Sequence, residues 1–190
     1  AWTLTQTSTM PINSLVATND VLFYFRENSI GAISGAPGVN FQGTATHDLV
    51  AGNVGCVQSR TCQMFLNYVY FADRLGRPWR FAIGGTPEPL WTQVQTPFDA
   101  SARVAHWGAI EPNLNIYLVY VVGVGILAFD GGTGIYMGTW TVGGVNMWAA
   151  GVCWDGTAVG SAGPHLGMLE TSSGGTVYAW KLAHVADTVW

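Results

Sequence analysis

Apolar and polar residues alternate along this chain over short runs, and the runs come in pairs separated by brief polar turns. The pairs are Val21–Phe25 with Ile30–Ser34, Tyr68–Ala72 with Pro78–Ile83, Ile126–Asp130 with Ile135–Trp140, and Gly167–Thr171 with Thr176–Leu182. The intervening turns, 26–29, 73–77, 131–134 and 172–175, supply Gly, Asn, Asp and Ser, which tolerate positive φ or bond the backbone through a side chain. Each pair therefore predicts a β-hairpin. No window sustains apolar residues at i, i+3, i+4 and i+7 without Gly, Pro or β-branched interruptions, so helices are not expected.

Further strands are predicted at Gly55–Ser59 with Thr61–Leu66, at Arg103–Ile110, and at Met147–Cys153 with Ala158–Gly160. The apolar stretch Ile116–Phe129 contains Gly123 and Gly125 and falls short of the roughly 20 residues of a membrane-spanning helix, so it reads as a pair of buried strands. Gly35–Val39, Gly84–Pro89 and Gly160–Pro164 read as loops. The second strands of the four hairpins begin at Ile30, Pro78, Ile135 and Thr176, at intervals of 48, 57 and 41 residues. A propeller blade recurs at roughly 40–50 residues. The expected fold is all-β, a β-propeller or partial propeller of about four blade-like antiparallel sheets. Residues 1–190 are expected to form one domain, with a fragment of a longer protein as the alternative.

Composition adds a surface property. Charged residues are 9% of the chain, against about 25% in ordinary soluble domains, and Lys181 is the one lysine. So little charge predicts a surface partly covered by other protein subunits, in a homo-oligomer or larger assembly. In an unfinished ring the strands near Ala1–Gln6 and Tyr178–Leu182 would pair with each other, or with the edges of a second copy or of a missing part of the parent protein, pairing between chains being the favoured arrangement. A net charge of −4 and seven cationic side chains argue against nucleic acid, whose affinity rests on clustered cations. Arg60, Arg74, Arg77 and Arg80 read as a solvated turn. No basic and apolar leader opens the chain at Ala1–Thr5, so no signal peptide is expected. Cys56, Cys62 and Cys153 lack C-x-x-C spacing and read as buried thiols, with a Cys56–Cys62 bridge as the alternative in an oxidising compartment.

Residues that could carry chemistry are few. Glycoside hydrolysis needs two carboxylates facing across a cleft, and the spacing of Asp99, Glu111, Asp155 and Glu170 pairs none of them. Asp73 and Asp130 open hairpin turns, where an acceptor is needed structurally. His47, His106, His165 and His184 show no metal-ligand spacing, and the neighbours His47 and Asp48 point to opposite faces of any strand that holds both. Neither phosphate-binding nor dinucleotide fingerprints accompany the glycines. No catalytic residue, metal or cofactor is therefore expected. Trp140, Trp154 and Trp180 read as core. Trp79 and Trp91, which flank turns, and Arg80 beside them are the candidate contacts for a glycan ligand.

The segment Gly55-Cys-Val-Gln-Ser-Arg60, with Tyr68-Val-Tyr-Phe-Ala-Asp73-Arg-Leu-Gly76-Arg-Pro-Trp-Arg-Phe81, Gly84-Gly85 and Pro89-Leu-Trp91, resembles blades of propeller-like structural proteins from tailed-bacteriophage virions. Ile126-Leu-Ala-Phe-Asp130-Gly-Gly-Thr-Gly134 through Trp140, and Ser173-Gly-Gly-Thr-Val-Tyr-Ala179, resemble the following two blades. The likeness covers about residues 50–182. Its D-x-x-T-G and G-x-V-Y motifs also recur in quinoprotein-like repeats and outer-membrane assembly factors. What it implies is a non-enzymatic virion module of the head-tail or tail region, assembled in a host cytoplasm, that displays loops on a rigid β scaffold. A glycan-binding or glycan-hydrolysing propeller is the alternative.

Overall fold

The computed structural model describes residues 10–18, 20–35, 46–99, 102–112 and 114–140 with their side chains, and the backbone of 146–155, 163–171 and 177–181. Its strands fall into four antiparallel sheets, each made of strands consecutive in the chain. The first holds β1 (Ser14–Ala17), β2 (Val21–Phe25), β3 (Ile30–Ser34) and β4 (Thr46–Ala51); the second β5 (Gln63–Phe65), β6 (Tyr68–Ala72), β7 (Pro78–Ala82) and β8 (Glu88–Pro89). The third holds β9 (Ala105–Glu111), β10 (Ile116–Val121), β11 (Gly125–Asp130) and β12 (Tyr136–Trp140). The fourth holds β13 (Asn146–Asp155), β14 (Gly163–Thr171) and β15 (Val177–Lys181). Helix among the described residues amounts to one short turn, α1 (Thr96–Asp99), and two 3₁₀ turns, Ser59–Thr61 and Trp91–Val94.

All four predicted hairpins form, as β2–β3, β6–β7, β11–β12 and β14–β15, and Ile116–Phe129 is the strand pair β10–β11. Two turns depend on glycine. Gly76 (φ 74°) and Gly134 (φ 73°) occupy the left-handed region, which costs a side-chain-bearing residue strain. Space is closed as well: a Cβ would lie 2.6 Å from the Arg103 carbonyl at Gly76 and 2.5 Å from the Arg80 guanidinium at Gly134.

The structure corrects several boundaries. Gly55–Ser59 is a linker instead of a strand, because its backbone groups bond elsewhere. The Cys56 amide donates to the Arg26 carbonyl (2.8 Å), the Asn13 amide side chain donates to the Cys56 carbonyl (2.9 Å), and a Cβ on Gly55 would lie 2.0 Å from the Arg26 carbonyl. In Thr61–Leu66 only Gln63–Phe65 is strand. The end of the Gly84–Pro89 loop pairs as β8 with Trp79 and Arg80, on an edge where proline's missing donor is tolerated. Gly163 and Pro164 open β14 instead of closing a loop. Strands β1, only four residues long, and β4, which opens on the polar run Thr46-His47-Asp48, were missed. Ala1–Gln6, Ala158–Gly160 and the loop after Gly35 lie outside the described residues.

Strand alternation gives the second and third sheets two apolar faces each, and stacking covers them. Phe23, Phe25 and Ile30 of the first sheet meet Val69, Phe71 and Phe81 of the second, with ring centroids 5.1 Å apart for Phe23–Phe81 and 5.3 Å for Phe25–Phe71. Each such ring contributes on the order of 1.5–3 kcal/mol by leaving water. On its opposite face the second sheet packs Tyr70 and Ala72 against Tyr117, Val119, Leu127 and Phe129 of the third. The third sheet's far face buries Trp107 (1% exposed), Leu118 and Ile126, and β13 runs close alongside β9. The first strands of successive sheets thus approach one another, β5 to β9 and β9 to β13, as spokes do at a hub.

Gly76→Val and Gly134→Val should each lower stability by more than ~1 kcal/mol, combining left-handed strain with a blocked Cβ position. Urea midpoints equal to wild type in both variants would contradict this.

Candidate functional site

The glycan-contact candidates lie on or just after the second sheet. Trp79 and Arg80 are neighbours on β7 and therefore face opposite ways. Trp79 packs toward the first sheet, and its indole Nε1 donates to Asp73 Oδ2 (3.0 Å). Arg80, 7% exposed, faces the third sheet. Trp91, half-buried in the second 3₁₀ turn, lies under the Arg77 guanidinium at 4.9 Å from its ring centroid, and its buried Nε1 has no acceptor. The structure joins Trp79 and Trp91 only indirectly, through the Asp73–Arg77 pair, and separates Trp79 from Arg80 by the thickness of the sheet.

Asp73 explains that arrangement. Its Oδ1 accepts from the amides of Leu75 (2.8 Å) and Arg77 (3.0 Å), and its Oδ2 from Arg77 Nε (2.8 Å) as well as Trp79. One carboxylate thus closes the β6–β7 turn and holds Arg77 over Trp91. Asp130 does the same for β11–β12, accepting from the amides of Gly132 (3.0 Å) and Thr133 (2.6 Å) and the Thr133 hydroxyl (2.8 Å). The Thr133 bonds, followed by that from Gly132 and the nearby Arg80 charge, hold its carboxyl below the ordinary value of 3.8. Both residues take the turn-capping role expected of them.

Arg80 is the centre of the junction between the second and third sheets. Its Nε pairs with Glu88, its Nη1 donates to the Gly132 carbonyl (2.8 Å), and its guanidinium lies 4.3 Å from the Tyr68 ring centroid. Beside it the Tyr70 hydroxyl donates to the Gly131 carbonyl (2.7 Å), and the Tyr70 ring stacks on Tyr117 with centroids 4.5 Å apart. Burial alone would pull Arg80 down, but its hydrogen bonds to Tyr70 and Glu88 outweigh this and lift its pKa. Burial pushes Tyr70 up against the opposing pull of Arg80. The Gln93 side chain completes the clasp, donating to the Gly134 carbonyl (3.0 Å) and accepting from the Tyr136 amide (2.8 Å). Tyr68, Tyr70, Glu88 and Gln93 were missed from sequence. The hairpin's turn length, which sets Tyr70 opposite Arg80, was the signal available.

Arg60 and Arg74 are exposed, whereas Arg77 and Arg80 are bound into the fold as above. Cys56 is fully buried and Cys62 half-buried, both as free thiols; Cys153 lies where side chains are not described. Asp99 is exposed and Glu111 buried. His106 stacks near Tyr120. The side chains of Asp155, Glu170, His165, Trp154 and Trp180 are outside the described set, as is His184. Trp140 packs partly buried against the third sheet's far face. Among the described residues no group of three or more His, Cys, Asp and Glu is arranged to hold a metal, and no helix is long and apolar enough to cross a membrane.

A different surface stands out on the first sheet. Its outward face is built from two cross-strand rows, Leu15–Tyr24–Gly31–Leu49 and Ala17–Leu22–Ile33–His47. Tyr24 lies flat over Gly31, where a Cβ would be 2.1 Å from the ring, and stacks on His47 with centroids 5.4 Å apart and 14° between planes. Asp48 pairs with Ala32 on the opposite face, so His47 and Asp48 diverge as expected. Leu15 is 59% and Leu49 67% exposed, at opposite edges of this face.

No protein-family model and no curated protein matches the sequence. Solved structures do. The computationally designed protein Ika4 is similar at 14% identity and a TM-score of 0.53, over 94% of this chain and 95% of that one. Hsv2 of Kluyveromyces marxianus and of Kluyveromyces lactis, a β-propeller, is similar at 11% and 10% identity, with TM-scores of 0.53 and 0.54 over 93% and 95% of this chain. This chain spans about half the length of those Hsv2 chains, 51% and 52%. The likeness is one of fold: small antiparallel sheets of consecutive strands, stacked in series.

Arg80→Ala should destabilise the chain by about 2–3 kcal/mol, since it leaves the Gly132 carbonyl without its charged donor. Glu88→Gln, at an exposed carboxylate, should cost less than ~1 kcal/mol. Equal urea midpoints for the two variants would remove Arg80 from the centre of the junction. Asp130 should add stability that is full above the ordinary carboxylate pKa and is lost as pH falls through its depressed folded value. The stability gap between wild type and Asp130→Asn should therefore narrow from pH 6 to pH 3, and a gap that widens on acidification would contradict the capping role.

Proposed function

We propose that this chain is a non-enzymatic, propeller-like interaction module that presents loops on a rigid stack of β-sheets and docks onto other protein subunits. The observation that carries this reading is the outward face of the first sheet, an apolar surface with Leu15 and Leu49 open to water. Its setting is a virion of the tailed-phage kind, which the hairpin motifs support by their resemblance to such structural proteins. The charged residues nearest the hairpins agree with a scaffold, since Asp73, Arg77, Arg80 and Asp130 are bonded into turns and sheet junctions.

A second reading, glycan recognition, rests on Trp91, whose half-buried ring carries an indole N–H without an acceptor. Glycan-array binding separates the two. The scaffold reading expects no saturable glycan signal and identical profiles for wild type and Trp91→Ala. Saturable binding that Trp91→Ala abolishes would replace it with the glycan reading.

A further inference from the structure

We infer that the outward face of the first sheet is a self-association surface, occupied by a second copy of this chain to complete a ring of twice as many sheets. The inference deepens the scaffold reading and rests on it.

Among the described residues the second and third sheets have packed residues on both faces, whereas the first sheet is covered on one only. Its uncovered face is a whole sheet wide. It runs from Leu15 on β1 to Leu49 on β4, with Tyr24 pressed flat over Gly31 between them. Such a surface resembles the buried faces of the stack in its apolar make-up, and its eight residues include no Asp, Glu, Lys or Arg. Arg26, over the Tyr24 ring at 5.3 Å, sits at its margin. No like-charge repulsion opposes a second apolar sheet there.

The likeness to Hsv2 points to what supplies that second sheet. Four stacked sheets cover nearly all of this chain yet match about half of each Hsv2 propeller. Half a ring has two end faces, and in the whole ring each is covered by the other half. Two copies supply that length. With the first sheet of each packed on the fourth sheet of the other, a twofold axis closes the ring and leaves no end face exposed. Sheet-on-sheet stacking is the contact that already joins the first sheet to the second, so the same physics serves within and between copies.

Light scattering across about 1–100 μM tests this, alongside the double variant Leu15→Glu with Leu49→Glu. Wild type should run near twice 20.3 kDa, insensitive to salt because the contact is apolar. The double variant should run as a folded monomer, its dimer weakened more than about 100-fold by two carboxylates desolvated at the interface. Ile135→Glu, at an exposed residue in the β11–β12 hairpin, should leave the mass unchanged. Wild type at 20.3 kDa throughout overturns the inference. If the double variant of that monomer has a lowered urea midpoint, a segment of the chain's own covers the face; if the midpoint is unchanged, the face belongs to a different partner. A double variant that stays dimeric also overturns it. Failure of the scaffold reading would appear separately, as Trp91-dependent glycan binding whatever the mass.

Discussion

The stacking of one apolar sheet face on the next is the interaction on which the rest of this structure depends. A strand of alternating side chains can hide only one face against one neighbour, so a sheet apolar on both sides must be sandwiched. The second sheet shows this most fully, with Phe71 and Phe81 turned to the first sheet and Tyr70 and Ala72 to the third. No single sheet here has a core of its own. Stability is therefore a property of the series, and among the described residues the first sheet has a packed neighbour on one face.

Among the described residues, several of the polar groups in this apolar series lock neighbouring sheets in register. Arg80 reaches across to the Gly132 carbonyl while Tyr70 reaches the Gly131 carbonyl, so two side chains of the second sheet hold the β11–β12 turn of the third. Thr61, fully buried between sheets, does comparable work near the hub. Its hydroxyl accepts from the Ala72 amide (3.1 Å) and its carbonyl from the Tyr117 hydroxyl (3.1 Å). These bonds are directional where apolar packing is not. They fix how far each sheet slides over the next.

That division bears on what the molecule is for. Side chains that sequence reasoning offers to a ligand, Trp79 and Arg80, are drawn into the fold by Asp73, Glu88 and Gly132. An exposed apolar face lies instead on the first sheet, at Leu15 and Leu49.

The sequence alone determined the hairpins, because their signals are local. Five-residue alternation, an Asp or Asn able to cap a turn, and glycine where φ must be positive all act within a dozen residues, and Asp73, Asp130, Gly76 and Gly134 behave as those rules require. The buried pair β10–β11 was legible for the same reason. Gly55–Ser59 was not, since its fate was settled by the distant Arg26 carbonyl and Asn13 side chain, and the edge strands β1, β4 and β8 exist because a longer partner offers them a ladder. Tertiary structure alone decided which sheets Trp79 and Arg80 face, that Tyr68, Tyr70, Glu88 and Gln93 converge on one junction, and that among the described residues the first sheet is packed on one face. Residues far apart in the chain meet only when whole sheets pack, and no local pattern encodes which of two apolar faces will find a neighbour.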